Sequence, residues 1–244
     1  MWVASELLPS VASDRTLECA LARFSRAFPA LSPYQIIYRN LTTDTIVLDE
    51  TGYVQLTDFR YACKTDPVPT DFCSYPHYLS PEQVSGQGHG QKSDFWALGI
   101  LVYELISGGA NPWLTGDPAK DSEVGVYTRI AAHQEGSLTF PDGAPKPSEA
   151  LGQLLEALLH PEAKARLGGR GVSDTSEELR QHEWFTGLDW DALEEGSAVA
   201  PHAELAAQAL AAAIEVGDQA EADKFTGDSH LFDAFGMSSG DLSA

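Results

Sequence analysis

Cysteine is scarce in this chain, with three in 244 residues, Cys19, Cys63 and Cys73. They form no CxxC pair and leave one over, so neither a disulfide framework nor a cysteine-based zinc site is indicated. Long apolar runs are missing too. None approaches the ~20 residues of a membrane span, and Met1 is not followed by a basic and then an apolar signal segment. Residence in the cytosol, or in the nucleus, is expected. Basic residues are few: 15 Lys and Arg against 36 Asp and Glu give a formal charge of −21. That balance argues against nucleic acid and anionic membranes as partners and favours a basic peptide or protein. Most of the acidic residues read simply as a solubilising surface. Nor does a Gly-rich stretch occur before Ile36. What is present is a 43% hydrophobic content, enough for one substantial core and a tail.

Periodicity gives a mostly helical chain. Leu17 to Leu31 carries apolar residues at three- and four-residue spacings, the pattern of an amphipathic helix. Ile46-Val47-Leu48, a turn over Asp49-Glu50-Thr51-Gly52, and Tyr53-Val54-Gln55-Leu56 read as a short hairpin. Ser93 or Asp94 can cap a helix running to Ile106, whose continuous apolar character implies burial all round. Gly108-Gly109 ends it. Further helices are expected near Glu123 to His133, Ser148 to Leu159 and Ser176 to His182. An alanine-rich helix is expected over 203–216; alone it is marginal in water, so it docks or frays.

The chemistry is carried by Ile36-Ile37-Tyr38-Arg39-Asn40-Leu41-Thr42-Thr43-Asp44-Thr45 and, downstream, Asp58-Phe59-Arg60. The two segments resemble the catalytic loop and metal loop of a protein kinase, in which an Asp orients the substrate hydroxyl while an Asn and a second Asp hold magnesium. By that resemblance Asn40 stands at the base position, Thr42 at the lysine position, Thr45 at the metal-binding asparagine position and Arg60 at the glycine position. Only Asp58 keeps its chemistry. A neutral Asn cannot accept the proton, and a Thr hydroxyl is a weak substitute for a cationic clamp or a magnesium ligand.

Other segments follow in the same order. Phe72 to Glu82 resembles the end of an activation segment, Ser93 to Leu105 the long buried helix of the larger lobe, and Lys164-Ala165-Arg166-Leu167-Gly168 with His182-Glu183-Trp184-Phe185 its closing helices. Lys224 to Phe235 is similar to the tail of AGC-group serine/threonine kinases, near the cyclic-nucleotide-dependent branch. The implied fold is protein-kinase-like: a mostly α-helical C-terminal lobe with a short β-hairpin. Residues 1–7 would be a hinge-like segment, 8–190 the large lobe, and 191–244 an AGC-type tail with helix 203–216 inserted. The small N-terminal lobe is expected to be absent, or to lie in a longer chain.

The resemblance also assigns roles. Val47 would pack under the adenine of ATP, with Phe232 and Phe235 closing over it. Asp58, with Thr45, would face magnesium. Without a small lobe, weak or absent ATP binding is expected. Asp71 falls where active relatives carry a phosphothreonine, and Arg39 is the arginine that would pair with it. Glu104 and Asp44 match acidic residues that hold substrate arginines, while His77 replaces a third. Glu82 with Arg166 would form a buried salt bridge, and Asp94 would hold the catalytic-loop backbone. The reading is an AGC-type pseudokinase or large-lobe fragment acting as a binding or regulatory module. The alternative is a slow ATP-dependent Ser/Thr kinase whose small lobe lies upstream.

Overall fold

A computed structural model describes residues 2–3, 36–48, 54–168 and 175–195. These lie within a first compact unit, 1–208; the second unit, 209–244, falls outside the described residues, as do the helices expected at 17–31 and 203–216.

The hairpin forms as expected. Strand β3 (Ile46–Leu48) pairs antiparallel with β4 (Val54–Leu56), with Ile46 opposite Leu56 and Val47 opposite Gln55. Within the segment read as hinge-like, strand β1 (Trp2–Val3) pairs with the other edge of β3, Val3 facing Val47. A second ladder joins β2 (Ile36–Ile37) to β5 (Cys63–Lys64), Ile37 opposite Cys63. Two residues per strand leave almost no periodicity to read, which is why sequence alone did not find it.

Six α-helices follow among the described residues: α1 (Pro81–Val84), α2 (Lys92–Ile106), α3 (Glu123–Ala132), α4 (Glu149–Leu158), α5 (Thr175–Arg180) and α6 (Trp190–Glu194). Helix α2 is the axis of the core, and every residue from Ser93 to Leu105 is buried. Its start differs from expectation. The cap is Gln91, without a side-chain hydrogen bond; Ser93 Oγ donates to Gly90 O, and the Asp94 carboxylate is drawn away to Tyr38 and Arg39. Two backbone donors on another segment outcompete the helix's own first turn. At the other end Gly108, at φ 70°, lets Gly109 N donate to Glu104 O at 2.8 Å, closing the helix as expected.

Helix α4 buries Leu151, Leu154, Leu155 and Leu158 against α2, and Ser148 Oγ accepts from Leu151 N to start it. The helices approach closely at Gly99, where a Cβ would lie 2.8 Å from Leu159 Cδ2 and 3.0 Å from Leu158 Cβ. Gly99→Ala is therefore expected to destabilise. About 1–3 kcal/mol of overpacking strain outweighs the roughly 1 kcal/mol gained in helix propensity, and a urea titration reads the difference. Trp96 of α2 stacks on Trp113 with ring centroids 5.6 Å apart, and His133 sets its edge against both rings. This helical body is the platform that positions the loops at the hairpin's ends.

Candidate functional site

Tyr38 to Thr45 lead directly from β2 into β3, so the hairpin and the small ladder fix both ends of this loop. Asp94 fixes its start. One carboxylate oxygen accepts from Tyr38 N and the other from Arg39 N, both at 2.8 Å. Burial pushes the Asp94 carboxyl up to about 6, while the two N–H donors pull it down. Held this way, Arg39 takes φ 61°, a left-handed conformation that a long side chain rarely adopts. The twist sends its side chain across to other segments: Nε donates to Tyr61 O at 2.7 Å and Nη1 pairs with Asp71 at 2.7 Å. Burial works against the Arg39 charge, but the Asp71 carboxylate outweighs it; Arg39 in turn holds Asp71 below the usual carboxylate range. Asp71 itself is 62% exposed.

The interior of the loop is a closed network. Thr45 Oγ1 donates toward Asn40 O and Thr42 O and accepts from Thr42 N at 3.1 Å. The Thr42 and Thr45 hydroxyls lie 3.3 Å apart, and Thr42 Oγ1 accepts from Asp44 N at 3.3 Å. Asn40 Nδ2 donates to Asp58 O at 3.2 Å. All three side chains are buried. Across the hairpin, Thr57 N and Oγ1 both donate to Thr45 O, and the buried Tyr38 hydroxyl donates to Thr57 O. A threonine hydroxyl readily bonds backbone groups two or three residues away, so the spacing of Thr42 and Thr45 was a signal for this lattice in the sequence.

Beneath the following segment, Arg166, which is 0% exposed, grips Glu82 with both Nη atoms, at 2.8 and 2.9 Å. Its remaining donors reach His160 O and Lys92 O, and its guanidinium lies 5.0 Å from the Trp96 ring centroid. Burial pushes Glu82 up, but Arg166 more than compensates and leaves it below the usual range.

The ordered loop, the hairpin, the clamped Asp94 and the buried Glu82–Arg166 pair belong to a sequence that matches the protein kinase domain over residues 8–185. The chain is a protein kinase domain of the AGC type. It is 34% identical over 167 residues to the cAMP-dependent protein kinase catalytic subunit PRKX of Mus musculus, covering 68% of this chain and 43% of that one. To the cAMP-dependent protein kinase catalytic subunit of Dictyostelium discoideum it is 30% identical over 181 residues, 74% of this chain and 26% of the relative. With cGMP-dependent protein kinase, isozyme 1, of Drosophila melanogaster it shares 34% over 184 residues, 74% of this chain and 22% of the relative. The kinase domain thus spans less than half the length of these relatives.

Kinases of this family work with ATP and magnesium. Magnesium needs several free oxygen ligands in near-octahedral array, and the residues at that position in this kinase domain do not fit it. Asp58 Oδ1 accepts from Arg60 Nε at 2.6 Å, which holds its carboxyl below the usual range, while the Thr45 hydroxyl is spent on the loop's own backbone. The sequence marked Arg60 only as a lost glycine. Opposite charges two residues apart were the available signal for the pair. Val47, assigned to the adenine floor, is buried on β3 between its two partner strands. Phe232 and Phe235 lie outside the described residues.

Glu104, assigned to substrate arginines, is buried near the end of α2. One oxygen accepts from the Tyr78 hydroxyl and the other from Asn111 Nδ2 at 2.8 Å, while burial raises its pKa. Neither partner has a sequence signal, because each joins Glu104 only through tertiary packing. Asp44 is exposed, with the Tyr75 hydroxyl 3.5 Å from Oδ2. His77 stacks on Tyr75 at 5.7 Å between ring centroids, and burial lowers its pKa. Cys73 is half-buried and its thiol is raised by burial, as for an ordinary packed cysteine.

Proposed function

We propose that this kinase domain works as a binding or regulatory module, a pseudokinase, and not as an efficient phosphotransferase. The observation that carries the reading is the closed network of Asn40, Thr42 and Thr45. At the three positions where a kinase loop presents a base, a phosphate clamp and a metal ligand, this chain places neutral buried groups. Two of them spend their hydrogen bonds inside the loop, and the third is tied to Asp58 O. None can accept the proton of a substrate hydroxyl at neutral pH.

The excess of acidic residues and the exposed Asp44 support a basic peptide or protein as the partner. Glu104 would contribute to such binding only after giving up Tyr78 or Asn111. The absence of any membrane-crossing helix among the described residues is compatible with the expected cytoplasmic location. The second reading is slow phosphoryl transfer to Ser or Thr in a longer chain with a small lobe. It is favoured by the retained Asp58 and the ordered Arg39–Asp71 pair, since a loose transition state needs more positioning than base assistance.

A radiolabelled-ATP assay on a basic peptide library separates the two. The expected result is no transfer above a heat-denatured control; turnover abolished by Asp58→Asn would establish the slow kinase instead. With a relative's small lobe fused upstream, Asn40→Asp, Thr42→Lys and Thr45→Asn together are expected to produce activity that the fusion alone lacks.

Asp71 is proposed to hold the activation segment permanently in its ordered shape, supplying one negative charge without phosphorylation. Asp71→Ala is expected to change global stability by less than about 1 kcal/mol, because the carboxylate is largely solvated. Cleavage of 64–75 by a protease should nevertheless speed up several-fold. Unchanged cleavage would show that Arg39 and Asp71 do not order the segment.

A further inference from the structure

Asp58 and Arg60 form an ion pair two residues apart in sequence, with the arginine exposed and the carboxylate partly so. The Asp58 backbone is left-handed, at φ 57°, ψ 69°, and begins a 3-10 turn over Phe59–Tyr61. Arg60 N approaches Asp58 Oδ1 at 3.5 Å, and Arg60 Nε donates to the same oxygen at 2.6 Å. Asn40 Nδ2 holds Asp58 O from the other side, so the carboxylate stays over the turn that presents the arginine. Because the two residues share one tight turn, little chain entropy opposes the contact.

We propose that Arg60 is an internal counter-cation for Asp58, which closes to divalent ions the position where the kinase family holds magnesium. A divalent ion at Asp58 would have to displace a covalently tethered guanidinium or sit beside it. It would then find no second ligand ready at Thr45, whose buried hydroxyl is bonded to Asn40 O and Thr42 O. Arg60 is 68% exposed, so its charge can be removed without opening the core. The inference deepens the binding-module reading and rests on it at one point, the commitment of Thr45 to the loop.

The test is Mn²⁺ binding to the full chain, read by the electron-paramagnetic signal of the free ion. It compares the unaltered protein, Asp58→Asn, Arg60→Gly, Arg60→Met and the double variants Arg60→Gly/Asp58→Asn and Arg60→Met/Asp58→Asn. Weak sites on the acidic surface are common to all six and cancel. Asp58→Asn alone is expected to change nothing. Removing the arginine charge should tighten Mn²⁺ binding at Asp58 about tenfold over the unaltered protein, from the lost repulsion at close range, and Asp58→Asn should erase the gain. Arg60→Met keeps a side chain at the turn, so the result does not hang on the freedom of glycine.

A Mn²⁺ site in the unaltered protein that Asp58→Asn abolishes would overturn the proposal. So would the absence of any gained site in both arginine variants. A metal site without phosphate transfer would sink this inference and leave the binding-module reading standing; phosphate transfer without a Mn²⁺ site would do the reverse.

Discussion

Replacing Glu82 by alanine is expected to lower stability by about 3–5 kcal/mol, the usual cost of leaving one partner of a buried ion pair uncompensated. Arg166 has no route to water: it is 0% exposed, fixed by two carbonyl groups and covered by the Trp96 ring. In a domain of this size that corresponds to a melting point lower by about 10 °C. Calorimetry of Glu82→Ala reads it directly. A double change, Glu82→Leu with Arg166→Met, should recover much of the loss, since an apolar pair of similar volume needs no desolvated charge.

The pH dependence follows from the same pair. The folded Glu82 pKa lies below its ordinary value, so the stability it contributes is present above the unfolded pKa and is lost as pH falls through the folded one. Glu82→Ala should accordingly flatten the acid side of the stability profile. A profile of unchanged slope would mean that the pair is not electrostatically coupled to folding.

The second large effect is expected at Asp94. Asp94→Ala strands the Tyr38 and Arg39 N–H groups, both 2.8 Å from their acceptors, and each unsatisfied donor costs about 1–3 kcal/mol. Relief of a desolvated carboxylate offsets part of this. Because the folded pKa is raised to about 6, ionisation of Asp94 weakens the fold as pH rises from about 4 to 6, and the penalty is constant above that. The net loss at neutral pH is expected to be about 2–4 kcal/mol.

The functional consequence is local. Without the clamp Arg39 is free to leave φ 61°, and relaxation to ordinary backbone would withdraw its guanidinium from Tyr61 O and Asp71. Denaturant titration of Asp94→Ala should therefore show the stability loss together with faster proteolysis of 64–75. Loss of stability with an unchanged proteolytic rate would confine Asp94 to packing.

Much of the architecture was legible because it depends on local patterns. The apolar run from Phe95 to Tyr103 announced a helix buried on all sides. Helices expected near Glu123 to His133 and Ser148 to Leu159 formed there, with Ser122 and Ser148 as their caps. The β3–β4 hairpin followed from two short apolar runs around a turn. The strand at Trp2–Val3 and the β2–β5 ladder were not legible, since two residues define no period and their partners are remote in sequence.

The candidate site divides along the same line. By itself the sequence determined which chemical groups occupy the kinase positions: an amide for a base, two hydroxyls for a clamp and a metal ligand, and a charged residue after Phe59. Side-chain identity is covalent and needs no fold. Only the tertiary structure decided how those groups are used: Thr42 and Thr45 bond their own loop, Arg60 takes the Asp58 carboxylate, Asp94 serves Tyr38 and Arg39 instead of its helix, and Tyr78 with Asn111 occupies Glu104. A buried polar group must be paired, and the partner it finds is whichever one packing brings within hydrogen-bond reach.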